Sequence, residues 1–354
     1  MWRGAPGPEA YEWWYFDAVS ESGRDLLVII FLTNFVFSPR YNRQASDSVK
    51  EVSQPPGASY VKQIPAIAFT LYRDGRPVLR SISEHTSDDF VASPDHPACR
   101  IGGSHFHFTP QKNGGSYHIE INAPLRRGRT LAAQFTWQVV AGDLKTPNPG
   151  AEQRGAVHEW NMVAPRCVVA GKWTITKRDD ANESHEFRGT GYHDHNRDNR
   201  FLPATIAEWQ WGRTHFRDST VVYYRYRELD ATPITRLLVV ENDELKIHTP
   251  RYVQGAARRH PFGLSYPRQL AFAIDDLHPE EQFTLHADQT RVVDGSFFYL
   301  RFAGSAKLHR SNSRTTESAT LISEYLAPRA LRWRWLDWLI NMRISRHNRP
   351  SFLP

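Results

Sequence analysis

The segment FRGTGYHDHNRDNRF, residues 187–201, brings together side chains that could carry out acid catalysis. A tyrosine, two histidines, an aspartate and an asparagine follow one another there, directly after a Gly-Thr-Gly run. If the segment is a strand, Tyr192, Asp194 and Asn196 share one face, because strand residues alternate between faces. We expect Asp194 to point inward beside Tyr192, where loss of solvent favours the protonated carboxyl and makes it a general acid.

Two other interpretations of the same segment remain open. In a tight turn, the aspartate and asparagine would bind backbone N–H groups, as these residues often do. Histidines at alternate positions would favour a metal site, because they share a strand face. The histidines in question are His193 with His195, His105 with His107, and His158 or His185 as a third ligand. Paired histidines in strands are more often ordinary polar residues, so we expect no metal ion and no other cofactor.

Aromatic residues form a second group with chemical potential, and they occur in two short runs that also contain acids. The runs hold Trp13, Trp14, Tyr15 and Phe16 beside Glu12 and Asp17, and Trp209 and Trp211 beside Glu208. Aromatic faces in a desolvated wall stabilise a developing cation by roughly 0.5–2 kcal/mol per contact. The alternative is that these rings close the core of a barrel, and both roles are compatible.

The elements that must position these residues are strands. Segments rich in β-branched and aromatic residues alternate with turn residues such as Asp74-Gly75 and Asp294-Gly295. The segments cover residues 26–37, 66–79, 104–110, 116–124, 131–140, 220–229, 235–240, 282–289 and 296–308. We predict no helix before residue 327. Many short strands at regular spacing indicate antiparallel sandwiches or barrels, so the predicted fold class is all-β.

A weak internal repeat suggests that one β-unit occurs twice. Residues 12–32 align with residues 208–226 across a three-residue gap, since each copy has Glu-Trp-x-aromatic, a turn that contains Arg-Asp, and an apolar strand. The length of 354 residues allows two domains. We therefore predict barrels over residues 1–187 and 188–326, followed by a separate tail over residues 327–354.

Composition excludes several classes of protein. Apolar residues make up 40% of the chain without a run that would span a bilayer, and no signal peptide is recognisable, so we expect a cytoplasmic protein. Cys99 and Cys167 are too few for a disulfide framework or a four-cysteine zinc site. Much of the net charge of +6 comes from the tail, where six arginines against one aspartate give a local excess of +5. No nucleic-acid motif accompanies it.

The tail itself has the pattern of an amphipathic helix over residues 331–349. A polar stripe of Arg334, Asp337, Asn341 and Ser345 runs beside a broad face of tryptophan, leucine and isoleucine. Tryptophan and arginine suit the headgroup boundary of a membrane, which predicts peripheral contact on the inner face. The alternative is a helix that docks on the protein's own barrels.

Six motifs in order resemble the carotenoid 1,2-hydratase (hydroxyneurosporene synthase) family over nearly the whole chain. They are EWWYFDA, FSPRY, AFTLYRDG, EWNMVAPR, GTGYHDHN and EWQWGR. The resemblance implies two lipocalin-like β-barrels in tandem. It also implies that Asp194 protonates a terminal isoprenoid double bond and that Tyr192, Trp209 and Trp211 surround it.

The resulting hypothesis is a cofactor-independent hydratase of an apolar polyene or isoprenoid. Asp194, Tyr192, His195 and Asn196 are the expected catalytic residues, with His195 or Asn196 orienting the water. Substrate contacts are expected from Trp13, Trp14, Trp209, Trp211, Glu208 and His193. Two alternatives differ in the mass of the product: a cyclase or pericyclic enzyme in the same pocket adds no water, and a lipocalin-type lipid carrier leaves its ligand unchanged.

Overall fold

Two curled antiparallel sheets make up most of the protein, which confirms the predicted all-β class with tandem lipocalin-like barrels. The computed structural model describes residues 1–4, 7, 9–50, 63–112, 114–140, 158–176, 182–275, 278–346 and 351–352. These residues divide into two compact units, Met1–Leu202 with Trp333–Pro354, and Pro203–Arg332.

The first unit contains an eleven-stranded sheet. Its strands are β1 Tyr11–Ser20, β2 Asp25–Leu32, β3 Ala66–Arg73, β4 Arg76–Glu84, β5 Phe90–Ala92, β6 Ala98–Ile101, β7 Ser104–Gln111, β8 Gly114–Pro124, β9 Thr130–Val139, β10 His158–Thr176 and β11 Asn182–Asp198. The spatial order is β4-β3-β2-β1-β11-β10-β9-β8-β7-β6-β5. The sheet curls, since Ser81 on β4 donates a hydrogen bond to the carbonyl of Pro124 at the end of β8.

The second unit contains a nine-stranded sheet and a two-stranded one. Its strands are β12 Ile206–His215, β13 Ser219–Glu228, β14 Ile234–Glu241, β15 Glu244–His248, β16 Arg251–Gln254, β17 Ala257–Arg259, β18 Ser265–Pro267, β19 Gln269–Ile274, β20 Phe283–Gly295, β21 Tyr299–Arg310 and β22 Thr316–Leu326. The large sheet has the order β15-β14-β13-β12-β22-β21-β20-β19-β16, and β17 pairs with β18.

Both large sheets follow one path. Each begins with a meander of four strands, and its last strand returns to pair with the first, β11 with β1 and β22 with β12. The repeated sequence falls on the two opening hairpins, where Trp13 lies opposite Leu32 and Trp209 lies opposite Tyr226. Residues of one sheet can therefore be matched to residues of the other by strand and register.

The observed division of the chain differs from the predicted domain boundaries. The boundary after residue 187 falls inside β11, which pairs with β1 and β10 along its length, so this strand is the last of the first sheet. Residues 333–354 also belong to the first unit. Ser345 forms a bridge with Ser83, and its backbone N–H donates to the carbonyl of Ile82 on β4.

The prediction of no helix before residue 327 was wrong. α1 spans Pro39–Lys50, and a single turn, α2, spans Leu202–Thr205. Tyr41 and Ala45 are buried one turn apart, but most other residues of α1 are polar, so the sequence offers too few apolar positions to predict a helix. The C-terminal helix is present but short: α3 covers Asp337–Asn341 after 3₁₀ turns over Pro328–Arg332 and Arg334–Leu336. Further 3₁₀ turns cover Ser87–Asp89, Arg126–Gly128 and Pro279–Glu281. Within the described ranges, no helix is long and apolar enough to cross a membrane.

β11 lies against β1 with no room for a side chain at Gly189. A Cβ there would be 2.0 Å from the carbonyl oxygen of Val19. We expect Gly189→Ala to lower the free energy of unfolding by about 3 kcal/mol, because the backbone of both strands would have to move. Urea unfolding measures this change.

Gly103→Ala is the matched control, because its Cβ would meet Asn122 at an ordinary distance of 3.4 Å. Its effect should stay within about 1 kcal/mol. Equal stability of the two variants would show that β1 and β11 are not packed this closely.

Candidate active site

The candidate site lies on β11 where this strand is held on both sides. Asp194 is opposite Tyr15 of β1 and Met162 of β10. Residues opposite one another in a sheet point to the same face, so these three side chains share one face of the first sheet. All three are buried.

Three donors surround the carboxylate of Asp194. The indole Nε1 of Trp160 donates to Oδ2 at 3.1 Å, and the hydroxyl of Tyr192 donates to the same oxygen at 3.0 Å. The amide Nδ2 of Asn196 donates to Oδ1 at 2.7 Å. Every member of this group, the carboxyl cluster, is buried. A buried carboxyl with donors on both oxygens has a fixed orientation, because each donor would lose a partner if it turned.

Strand periodicity and register bring these four side chains together. Tyr192, Asp194 and Asn196 are alternate residues of β11, and Trp160 of β10 lies directly opposite Asn196. Trp13 of β1 lies opposite Asn196 from the other side. The amide oxygen of Asn196 is buried and has no hydrogen-bond partner among the described residues. It is therefore an acceptor next to the carboxyl group.

The orientation predicted for this segment was half right. Asp194 lies beside Tyr192, as predicted. The side chains of β11 that point into the first barrel, however, are those on the other face of the strand. His193 stacks there on Phe16 at 3.9 Å and meets the edge of Tyr117 at 4.6 Å. Phe16 and Tyr117 belong to the hydrophobic core of the first unit. The carboxyl cluster is thus buried on the opposite face of the sheet.

His193 is neutral because of its surroundings. Its Nδ1 donates to the carbonyl of Tyr15 at 2.9 Å, which fixes the tautomer and leaves the lone pair on Nε2. Burial lowers the pKa of His193 to about 3, because a charged imidazole would lose its hydration, and the bond to Tyr15 opposes this only in part.

His195 also points away from the carboxyl cluster. Its Nε2 donates to Oε1 of Glu12 at 2.7 Å, and its ring stacks on Trp14 at 5.1 Å. Burial lowers the pKa of His195, and the hydrogen bond to Glu12 opposes that shift. The structure therefore separates three predicted site residues, Trp14, His193 and His195, from Asp194 by the thickness of the sheet. Of the two residues predicted to orient a water, only Asn196 lies on the same face as Asp194.

The second unit carries the remaining predicted residues. Trp209 and Trp211 are buried on β12, with Trp209 edge-on to Tyr224 at 5.4 Å. Glu208 lies on the other face of the strand, where Arg225 donates to its Oε1 at 2.8 Å. Trp209 and Trp211 thus share a face and Glu208 does not.

One acidic residue of the second sheet matches Asp194 by position. Glu324 of β22 lies opposite Trp211 of β12 and Arg301 of β21. Arg301 donates to Oε1 of Glu324 from Nε at 3.0 Å and from Nη2 at 2.7 Å. Where the first sheet has Met162 beside its acid, the second has a guanidinium that pairs with it. The two copies therefore keep an acid in different environments.

The histidines that invited a metal interpretation have other contacts. His107 stacks on His118 at 5.1 Å on the first sheet, His158 lies 3.5 Å from Asp198, and His185 lies 3.0 Å from Glu183. In the part of the chain that the structure describes, no group of three or more histidine, cysteine or acidic residues has the geometry to hold a metal ion.

Trp160 is the member of the carboxyl cluster that the sequence did not reveal. Its motif EWNMVAPR suggested family resemblance but no role. A signal exists in the Glu-Trp pair, which occurs three times, at Glu12, Glu159 and Glu208. The first and third pairs lie in the opening strands of the two large sheets, β1 and β12, and the second lies at the start of β10.

Solved structures with this architecture define the class as a tandem lipocalin-like protein. CghA with Sch210972 superposes with a TM-score of 0.58 at 11% identity, covering 90% of this chain and 89% of that one. A putative AttH from Nitrosomonas europaea gives 0.55 at 16%, covering 92% and 94%. Kievitone hydratase from Nectria haematococca gives 0.51 at 9%, covering 90% and 88%. At these identities the similarity concerns the fold alone.

Sequence similarity places the chain within this class. A hydroxyneurosporene dehydrogenase of Chlorobaculum tepidum is 27% identical over 365 aligned positions, covering 99% of this chain and 91% of the relative. An acyclic carotenoid 1,2-hydratase of Rubrivivax gelatinosus is 26% identical over 235, covering 62% and 49%. The family model for carotenoid hydratase CrtC matches residues 95–352. The chain belongs to the carotenoid hydratase CrtC family, as the motifs indicated.

The buried His193 makes stability depend on pH in a defined direction. An unfolded histidine takes up a proton below about pH 6.5, whereas folded His193 does so only near pH 3. Between these values the unfolded state binds more protons, so stability falls as the pH falls, by up to about 1.4 kcal/mol per pH unit. We expect His193→Gln to remove this contribution in urea unfolding measured from pH 7.5 to 4.5.

His96→Gln, a change at an exposed histidine, serves as the control and should follow the wild-type curve. If the His193→Gln protein lost stability towards acid as steeply as the wild type, His193 would have to be protonated or exposed in the folded state.

Proposed function

We propose that this protein is a hydratase that adds water to a terminal double bond of an apolar polyene or isoprenoid by acid catalysis. The carboxyl cluster is the observation that carries the proposal. Membership of the carotenoid hydratase family supports both the reaction class and the apolar substrate. No cofactor has a part in the chemistry proposed, which requires a proton donor, a cation-stabilising wall and water.

The arrangement of donors suits Asp194 to proton transfer. Oδ2 accepts from both Trp160 and Tyr192, which fills its two lone pairs, so the transferable proton resides on Oδ1. Once the proton has left, the same donors stabilise the carboxylate that forms. They are already in place before the reaction, so little reorganisation is needed. An alkene is a weak base, and it is protonated more readily when the conjugate base of the acid is stabilised.

The remaining steps use neighbours of Asp194. Transfer of the proton to the less substituted carbon of the double bond leaves a tertiary carbocation on the more substituted carbon, which the faces of Tyr192, Tyr15 and Trp160 stabilise. A water held by the free amide oxygen of Asn196 attacks this cation. The oxonium ion then gives its extra proton to the carboxylate of Asp194. The net change is addition of one water, and the acid is restored.

The substrate is proposed to reach the protein from a membrane. The hydratase of Rubrivivax gelatinosus is named for acyclic carotenoids, which are apolar. A molecule of that kind stays in the bilayer, so peripheral contact through residues 331–349 is part of the proposal. The tail is not the single long helix that was expected, and its observed conformation determines which side chains are exposed for membrane contact.

Asp194→Asn tests the proton donor. Asparagine keeps the shape, and its amide oxygen can still accept from Trp160 and Tyr192. A flip of Asn196 would turn its unpartnered oxygen towards the new amide group. We expect turnover to fall by about 10²–10⁴-fold with little change in melting temperature or substrate binding. Turnover of a polyene in detergent, followed by mass spectrometry, provides the measurement.

Tyr192→Phe is the companion variant, because it removes one donor and keeps the acid, and it should cost much less than Asp194→Asn. The product should be 18 mass units heavier than the substrate and should carry oxygen from labelled water. A product of unchanged mass would instead indicate cyclisation, and a ligand recovered unaltered would indicate a carrier. Either result, or full activity of Asp194→Asn, contradicts the proposal.

A further inference from the structure

Three tryptophans near the C-terminus are exposed to solvent. Trp333, Trp335 and Trp338 have 49%, 71% and 57% of their surface accessible, whereas the other eight tryptophans are buried or half-buried. Trp333 and Trp335 are stacked with centroids 6.5 Å apart. Large apolar side chains clustered on a surface mark a contact with another molecule or with a membrane. We call these residues the tryptophan surface.

The tryptophan surface is held in place by the first unit. Asp337 accepts two hydrogen bonds from Arg43 of α1, at 3.2 and 2.9 Å. Leu336, Ile340 and Ile344 of the same segment are buried. The segment therefore has an aliphatic side that packs on the protein and an aromatic side that does not. Exposure of the tryptophans follows from this anchoring.

Charge around the tryptophan surface favours an anionic lipid surface as its partner. Arg329, Arg332 and Arg334 precede or separate the tryptophans and are exposed, and residues 328–336 contain no acid. Tryptophan rings settle at the headgroup level of a bilayer, where one side is apolar and the other is hydrated. Arginines beside them attract anionic headgroups. A protein partner would need a complementary acidic and apolar groove, whereas a lipid headgroup layer supplies both features.

We propose that Trp333, Trp335 and Trp338 insert into the headgroup layer of an anionic membrane, with Asp337 and the buried aliphatic residues fixing their orientation. The proposed function supplies only the reason for membrane binding, namely that the apolar substrate lies in the bilayer. Because the aliphatic side chains of this segment pack on the first unit, the membrane contact predicted for residues 331–349 is limited to the three tryptophan side chains. Deletion of the tail would also remove side chains that are buried in the first unit, so it would not test membrane contact alone.

Full-length protein and vesicles of phosphatidylcholine with phosphatidylglycerol test the proposal by co-sedimentation. The variant carries Trp333→Ser, Trp335→Ser and Trp338→Ser. We expect its partition onto these vesicles to fall by about tenfold or more. The matched control carries Val91→Ser, Val168→Ser and Phe262→Ser, which remove apolar side chains of 53%, 55% and 50% exposure elsewhere, and it should bind like the wild type.

A second variant separates charge from insertion. Arg329→Gln with Arg332→Gln should reduce the preference for anionic over pure phosphatidylcholine vesicles and weaken the salt dependence of binding, because screening acts only on the charges. Melting temperatures of all variants should match that of the wild type, since the changed side chains are exposed.

Three outcomes would overturn the proposal. They are failure of the wild type to bind vesicles, undiminished binding of the triple tryptophan variant, and a wild-type dimer in solution that this variant dissociates. The two proposals fail separately. Tryptophan variants should keep turnover of substrate supplied in detergent, whereas Asp194→Asn should lose turnover and still bind vesicles.

Discussion

The structure of the site depends on the antiparallel pairing of β11 with β1 and β10. The three donors of the carboxyl cluster are placed by this pairing: Tyr192 and Asn196 by alternation along β11, and Trp160 by its register in β10. Gly189 allows β1 to approach closely at one end of the pairing. A slip of one residue would exchange the two faces of β11, so that Asp194 would enter the aromatic core and His193 would leave it.

Residues 191–196 of β11 are buried on both faces of the sheet, which explains the unusual composition of this part of the strand. A strand with one solvated face needs hydrogen bonds only on its buried side, whereas residues 191–196 must satisfy polar groups on both. On one side His193 uses the carbonyl of Tyr15, and His195 uses Glu12. On the other side Asp194 uses three donors. These bonds tie the strands together through side chains as well as through the backbone, which gives the acid a rigid setting.

A feature of this structure can be predicted from the sequence when it depends on residues that are close together in the chain. The all-β class, the repeated opening hairpin and the grouping of Tyr192, Asp194 and Asn196 follow from local patterns in the sequence, and the structure bears them out. The predicted strand positions are less complete, since β10 and β22 were not among them and the segment 26–37 ends as a strand at Leu32. Which face of β11 lines the barrel depends on the curl of the whole sheet. The role of Trp160 depends on register between strands, which two irregularities in β10 shift between Met162 and Cys167.

Short helices were the least predictable elements, for related reasons. α1 has a mostly polar sequence and contacts the protein through a few side chains such as Tyr41. The tail has the composition of one long helix, but α3 is only five residues long, and beyond it Ser345 pairs with Ser83 of β4. In both cases tertiary contacts determine the conformation more than local preference does.

The pairing of Glu324 with Arg301 has a consequence for how such a protein can change over time. In each large sheet the last strand returns to pair with the first and carries an acid at the matching position, so the two sheets differ at the neighbour of the acid and not in having one. A substitution on the adjacent strand is enough, because methionine leaves the carboxyl to its other neighbours and arginine engages it in an ion pair. The residue opposite the acid on the adjacent strand thus determines whether the carboxyl group is held in an ion pair, while the strand pairing around it stays the same.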